Sequence, residues 1–527
     1  MAADGLRAAD GLRAYFAVAV LVFHCTFFST LGRADVLHDD AFHELRSQPL
    51  YNPLLANGLE APNIFFMLSG FFTTRSLLVT LRAGRTVNVP RLVIARYLRL
   101  VPLVALPISF GLIIDPAYYD HGAPVWRKLI GHLTLTGNLG TLVLSDDAQT
   151  TVMYATATAP VWSLMVDWHA TSLLAALIPY VYVRTGGALG VKIVLLVLLL
   201  AATALRYQLV HQLIVGTSCP WHAYIRAYHP EPFYSPTGVA NGFAAIYGHQ
   251  PMDVPLASMP DMPAPSRWHA RLLAAAAGAV GGRADTTVTA CTATVFQAQA
   301  ELSARTYNPT HARIAPFLVG ALAATGYVDA LDRERVLADE PPPDGSIWLI
   351  VYWLRRATGF AVRLAIVLAS LQMLSTSLAS PLQYEYIHYA PDGVIAFCQT
   401  FWPLFNATAV AVLFYGAIAP PSSPWRNPIA RIVLSFPGFA PLARLSPWLI
   451  MLHCPVLLAL TIHRTLPKLV PSLGQLSLTF VAAHCVLVLA LTLPLAYVAA
   501  TVVEPRWQRV SGRLLDAALG GAKSRRV

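Results

Sequence analysis

Three ionisable residues lie well inside apolar stretches of this chain: His24, Asp167 and His453. A side chain that can carry charge is expensive in a bilayer, and such groups are by default candidates for function. An acid and two histidines buried at similar depth can form a general-base site, with the carboxylate fixing a histidine tautomer. The bland alternative for a lone histidine is a hydrogen bond to a neighbouring helix. Arg13 enters the same stretch as His24, about 16 Å away along a helix axis. That is near half the ~30 Å hydrocarbon thickness, so Arg13 can reach one membrane face while His24 stays near the midplane. Arg96 and Arg99, one helical turn apart at the end of another span, suit an anion, because paired guanidinium groups grip phosphates through charge-assisted hydrogen bonds. Ordinary anchoring of basic residues beside a span is the competing reading.

These residues need apolar helices to hold them, and the composition supplies such helices. The 527 residues are 56% hydrophobic and only 12% charged, about half the charge of a soluble domain. With several apolar runs near 20 residues, the fold class is an all-α polytopic membrane protein. A net charge of +10 invites a nucleic-acid reading. The basic residues, however, cluster in short segments beside spans, as the positive-inside bias requires. The cysteines (Cys25, Cys219, Cys291, Cys398, Cys454, Cys485) show no CxxC spacing, so ligand spacing gives a metal site no support. Cys219 and Cys291 share one long polar segment and can pair if it faces an oxidising lumen.

About ten spans are expected, near 14–32, 62–81, 99–115, 160–183, 188–206, 312–330, 347–376, 392–418, 436–462 and 475–503. The first exceeds the core of a signal peptide and reads as retained. It follows a tandem Ala-Ala-Asp-Gly-Leu-Arg over residues 2–13, of which only the second copy joins the span. Residues 126–147 read as interfacial or re-entrant. The span near 188–206 reads as scaffold, and Glu504-Pro505 reads as a stop to the last span. An acidic loop (Asp35, Asp39, Asp40, Glu44, Glu60) and a basic stretch (Arg82, Arg85, Arg91, Arg96, Arg99) bracket the second span and place the N-terminus in the cytoplasm. Ten spans return the basic tail, 506–527, to that side. The long 207–311 segment then faces the lumen or exterior, and residues 1–505 form one transmembrane domain. Arg355, Arg356 and Arg363 read as snorkelling anchors, and His463 and His484 receive no role.

Several short motifs now line up. Asp10-Gly-Leu-Arg13 with His24 resembles the opening signature of the acyltransferase 3 superfamily of integral-membrane acyltransferases. Phe65-Phe-Met-Leu-Ser-Gly-Phe71 resembles its second-span motif, Arg96-Tyr-Leu-Arg99 its Arg-x-x-Arg, and Trp162-Ser-Leu-Met-Val-Asp167 its Trp-Ser-Leu-x-x-Glu/Asp. Pro441-Leu-Ala-Arg-Leu-Ser446 with Leu452-His453 is similar to a late segment. Arg313-Ile-Ala-Pro-Phe-Leu-Val-Gly320 and Val503-Glu-Pro505 look most like the eukaryotic nose-resistant-to-fluoxetine-type branch. The matches run in family order from residue 10 to 505. Departures are Asn63 for an aspartate, His169 for a glutamine and Gln399 for an arginine, and a cysteine-rich extracellular domain common in the branch is missing.

The resemblance implies transfer of an acyl group from cytoplasmic acyl-coenzyme A, a co-substrate rather than a tightly bound cofactor. The acceptor would be a hydroxyl or amine on a lipid or glycan in or across the membrane. His24 would be the general base, and Asp167 would orient it or stabilise its imidazolium. Arg13, Arg96 and Arg99 would hold coenzyme A phosphates. Ser69 and Trp162 would shape the pocket, and His453 would bind the acceptor or pack helices. The scheme needs no metal. The rival class is a non-catalytic transporter or lipid-handling protein, because buried ionisable groups also mark transport pathways and a fold can outlive its chemistry.

Overall fold

A computed structural model describes residues 6–30, 51–114, 125–137, 160–215, 310–339, 364, 392–421, 423, 425–462 and 478–519. The expected span 347–376 apart from residue 364, its three arginines, the acidic loop Asp35–Glu44, Cys219, Cys291, His463 and the last residues of the tail lie outside them. Among the described residues every regular element is helical. In order these are α1 (Ala8–Thr30), α2 (Tyr51–Arg82), α3 (Val89–Ile114), α4 (Val125–Leu133), α5 (Val161–Thr185), α6 (Ala188–Val215), α7 (Thr310–Asp339), α8 (Asp392–Ile418), α9 (Pro428–Leu434), α10 (Phe439–Ile462), α11 (Leu478–Val498) and α12 (Glu504–Ala518). Nine stretches among the described residues are long and apolar enough to cross a membrane. They coincide with all of the expected spans except 347–376. The protein is an all-α, multi-pass membrane protein.

The long helices are apolar on nearly every side, as a helix facing both neighbours and lipid must be. Prolines sit inside many of them, including Pro102 and Pro107 of α3 and Pro447 and Pro455 of α10. Membrane helices tolerate this because neighbouring groups satisfy the freed carbonyls. The α6 helix shows its outer character directly, with Leu189, Ile193, Leu196, Val197 and Leu200 all exposed. It is nevertheless more than an apolar filler. Lys192 pairs with Asp329 of α7, which also bonds Arg82 of α2 at 2.5 Å, while Arg82 reaches Asp332 as well. This clamp ties α2, α6 and α7 together at one end of the bundle.

The centre is a crossing of α2 and α7. A Cβ on Gly70 would collide with the backbone of Phe317, and one on Gly320 would collide with the backbone of Met67. Each helix thus offers a glycine to the other's main chain, the device by which membrane helices approach closely without a hydrophobic drive between them. Around it packs a continuous core including Phe71, Phe414, Tyr327, Leu68 and Leu78. The α1 helix lies between α2 and α10, with Gly58 of α2 set against Ala19 and Phe23.

The last span does not stop at Glu504-Pro505. Five residues of π-helix, Ala499–Val503, lead from α11 into α12, and Pro505 sits in the first turn of α12. There a missing N–H costs no hydrogen bond. The segment expected as a basic tail therefore begins as a helix docked on α3. Trp507 Nε1 donates to the Leu98 carbonyl at 2.5 Å, and Arg91 pairs with Asp516 at 2.8 Å. Within the segment expected to be interfacial, α4 occupies 125–133, and its Leu133 carbonyl accepts from the Tyr97 hydroxyl at 2.8 Å. Residues 138–147 of that segment lie outside the described set.

The crossing makes a clear prediction. Gly70→Leu or Gly320→Leu should lose at least ~1–3 kcal/mol to overpacking, seen as a lower melting temperature in detergent. Gly512→Ala on α12, where a Cβ meets nothing within 4 Å, should be neutral or raise stability by roughly 0.5–1 kcal/mol. A Gly70→Leu protein as stable as the parent would refute the close crossing.

Candidate functional site

Three helices each contribute one polar side chain to a compact cluster. Ser69 of α2 donates to Asp167 Oδ1 at 2.5 Å. A terminal nitrogen of Arg96 on α3 donates to Ser69 Oγ at 2.9 Å and to Asp167 Oδ2 at 2.6 Å. Asp167 itself comes from α5. Its side chain is 14% exposed and that of Arg96 29%, so the pair is largely out of solvent. A carboxylate in such a place needs a cation and hydrogen bonds to persist, and both its oxygens are occupied here. The expectation that Asp167 serves His24 is therefore corrected: its partners are Arg96 and Ser69. Beside the cluster, Trp168 Nε1 donates to the Val93 carbonyl at 3.4 Å, a further tie between α5 and α3.

The two histidines meet each other instead. His24 Nδ1 lies 2.8 Å from His453 Nε2, with ring centroids 4.8 Å apart. His453 Nδ1 is 3.0 Å from the Leu449 carbonyl, one turn back on α10. A carbonyl can only accept, so His453 Nδ1 carries the hydrogen and Nε2 the lone pair. With both rings neutral, His24 Nδ1 then donates to that lone pair, and the lone pair of His24 resides on Nε2. The second histidine thus does work assigned to the carboxylate: together with the Val20 backbone, one turn back on α1, it sets which nitrogen of His24 is basic.

The two groups occupy different levels. Arg13 lies over the Phe72 ring at 5.1 Å and 3.6 Å from Asp10, and it feels the charges of Arg99 and Arg96. Arg99 is exposed and has no ion-pair or hydrogen-bond partner among the described residues. Arg13, Arg96 and Arg99 therefore form one cationic layer, with the Ser69–Asp167 pair at its base. His24 lies about 16 Å further along α1 than Arg13. The acid and the two histidines are not at one depth, as the sequence suggested; they split into a charged layer and an imidazole layer.

Trp162 is buried and walls the cluster on α5, edge-on to Phe66 at 5.9 Å. Phe66 stacks on Phe317 at 4.9 Å, and the Arg313 guanidinium lies 5.8 Å from the Trp162 ring centroid. Arg313 also donates to Asn63 Oδ1 at 2.9 Å, and Asn63 donates to Glu60 at 2.6 Å. Sequence reasoning gave Asn63 and Arg313 no role. The two motifs beside them do touch, at Gly70–Phe317 and Met67–Gly320, and Asn63–Arg313 extends that contact. Glu504 of the closing motif accepts from Trp448 Nε1 at 2.9 Å, binding α12 to α10. His169 pairs with Thr310 at 2.9 Å.

No family model, curated protein sequence or solved structure matches the chain, so the family resemblance rests on the motif residues alone.

Breaking one member of a buried ion pair is more costly than removing both. Asp167→Asn should destabilise the protein by about 1.5–3 kcal/mol, because it leaves the partly exposed Arg96 without its counter-charge and charge-assisted hydrogen bond. Adding Arg96→Gln should recover part of the loss, read as a non-additive double-mutant cycle in thermal unfolding. Additive costs would mean the pair is not coupled.

Proposed function

We propose that this protein is a membrane-bound acyltransferase that moves an acyl group from acyl-coenzyme A to a hydroxyl or amine of a membrane-associated or luminal acceptor. One observation carries the reading: a layer of three arginines at one end of α1, with a histidine pair about 16 Å deeper on the same helix. That separation matches the reach of an extended pantetheine arm, which has phosphates at one end and a thioester at the other. The motif resemblance, carried in part by these same residues, supports the same assignment. With the basic segments on the cytoplasmic side, both termini and the arginine layer face the cytoplasm, where acyl-coenzyme A is found.

In this reading Arg13 and Arg99 receive the phosphates. Arg96 adds its charge and offers Nε, which is buried and has no hydrogen-bond partner among the described residues. Its terminal nitrogen stays on Asp167 and Ser69, so the acid positions the arginine rather than the base. The acceptor hydroxyl or amine gives its proton to His24 Nε2 as its oxygen or nitrogen attacks the thioester carbonyl. The carbon–sulfur bond breaks, and the coenzyme A thiolate leaves and takes up the proton. His453 holds the tautomer that makes this possible. Trp162 and Ser69 would shape the pocket for the donor.

The test is coenzyme A release by detergent-purified protein supplied with acetyl- and longer acyl-coenzyme A and a membrane lipid extract. His24→Ala should lower the rate at least ~100-fold, the scale of a missing general base. Arg99→Ala should raise the donor KM with kcat nearly unchanged, the signature of lost ground-state binding. Release that is equal in the parent and His24→Ala, both folded and both shown to bind donor, would overturn the reading in favour of a transport or lipid-handling role.

A further inference from the structure

The dipeptide His-Cys occurs three times in the chain, at His24-Cys25, His453-Cys454 and His484-Cys485. The three copies lie on α1, α10 and α11, which pack against one another. Cys25 hydrogen-bonds Cys485 and lies within electrostatic range of Cys454. Cys25 and Cys454 are fully buried, and none of the three is in a disulfide. Cys454 Sγ is 3.3 Å from His453 Nε2, which is itself 2.8 Å from His24 Nδ1. Donor atoms of His24, His453 and Cys454 all lie within 4.8 Å of one another. Imidazole and thiolate together are the ligands of soft d¹⁰ cations.

Charge decides which cation. The site is deep in an apolar bundle, where an uncompensated charge is heavily penalised. A divalent zinc on two neutral imidazoles and one thiolate would leave a net positive charge. A monovalent copper on the same three ligands is neutral. We infer that His24, His453 and Cys454 form a trigonal site for copper(I) within the bundle. Binding displaces one proton, from the Cys454 thiol to solvent, and changes no oxidation state. His453 already donates its other ring hydrogen to the Leu449 carbonyl, the outer contact that orients metal-binding histidines. Two nitrogens on one trigonal metal stand about 3.5 Å apart at ordinary metal–nitrogen lengths. The 2.8 Å His24–His453 contact must therefore open by roughly 0.7 Å, within reach of a small rotation of two side chains. Sequence spacing hides such a site, because its ligands come from helices far apart in the chain.

The site stands whether or not the protein transfers acyl groups. If it does, copper on His24 Nδ1 leaves the ring hydrogen on Nε2, so the base is blocked while the metal is bound. Only this consequence rests on the proposed function.

The test is titration of the purified full-length protein in detergent, under reducing anaerobic conditions, with copper(I) held by a chromophoric bidentate chelator. The parent protein should withdraw one copper per chain. Cys454→Ser should weaken that binding at least tenfold, and Cys398→Ser, on another helix, should leave it unchanged. X-ray absorption on the loaded parent protein should show two nitrogen neighbours and one sulfur, a readout independent of whether any variant folds. No copper uptake by the parent, unchanged binding in Cys454→Ser, or an all-sulfur shell would each overturn the site. An all-sulfur shell would point instead to Cys25, Cys454 and Cys485.

Discussion

A carboxylate cannot remain ionised inside an apolar bundle without a cation, and the contact of Asp167 with Arg96 meets that demand. Much of the architecture follows from where this pair sits. It needs α3 and α5 side by side, and Ser69 bridges the pair only if α2 lies against both. The α2 helix reaches that position through its glycine crossing with α7. The α7 helix is in turn held by Asn63–Arg313 towards one end and by the Arg82–Asp329–Lys192 clamp at the other. Charge pairing and close backbone packing therefore select the same helix neighbours, which is how a membrane protein lacking a hydrophobic drive between helices can specify one arrangement.

Much of this was legible in the sequence, and the reason lies in the solvent. A bilayer forces each spanning segment to be helical and apolar over a fixed length, so the positions of α1, α2, α3, α5, α6, α7, α8, α10 and α11 could be read almost directly. The exceptional residues were legible for the same reason: His24, Asp167 and His453 stand out because lipid makes them costly. Their partners were not legible. Depth along a span can be counted from the sequence, but the angular position of one helix about another cannot. The acid was therefore paired with the wrong group, and the bond between His24 and His453 appears only once α1 and α10 are side by side. Lys192 was passed over in a run that otherwise reads as apolar filler. The Glu504-Pro505 pair was misread because proline ends a helix interior but is at home in a first turn.

The division into two layers gives each polar group a distinct physical job. Near Arg13 the charges are numerous and partly exposed, so their long-range field can draw in an anion and salt will weaken it. Near His24 the surroundings are apolar, and what matters is the direction of single hydrogen bonds rather than net charge. The Leu449 carbonyl sets the orientation of His453, and His453 sets that of His24. Backbone carbonyls on both helices, Leu449 on α10 and Val20 on α1, thereby bear on which nitrogen of His24 is basic.

The crossing of α2 and α7 also bears on how displacement travels through the molecule. Side chains at an ordinary helix contact can change rotamer and absorb a shift of an ångström. Backbone resting on backbone at Gly70 and Gly320 has no such slack. Ser69, next in sequence to Gly70, is held by that contact, so the place of the charged layer is tied to the seating of α7.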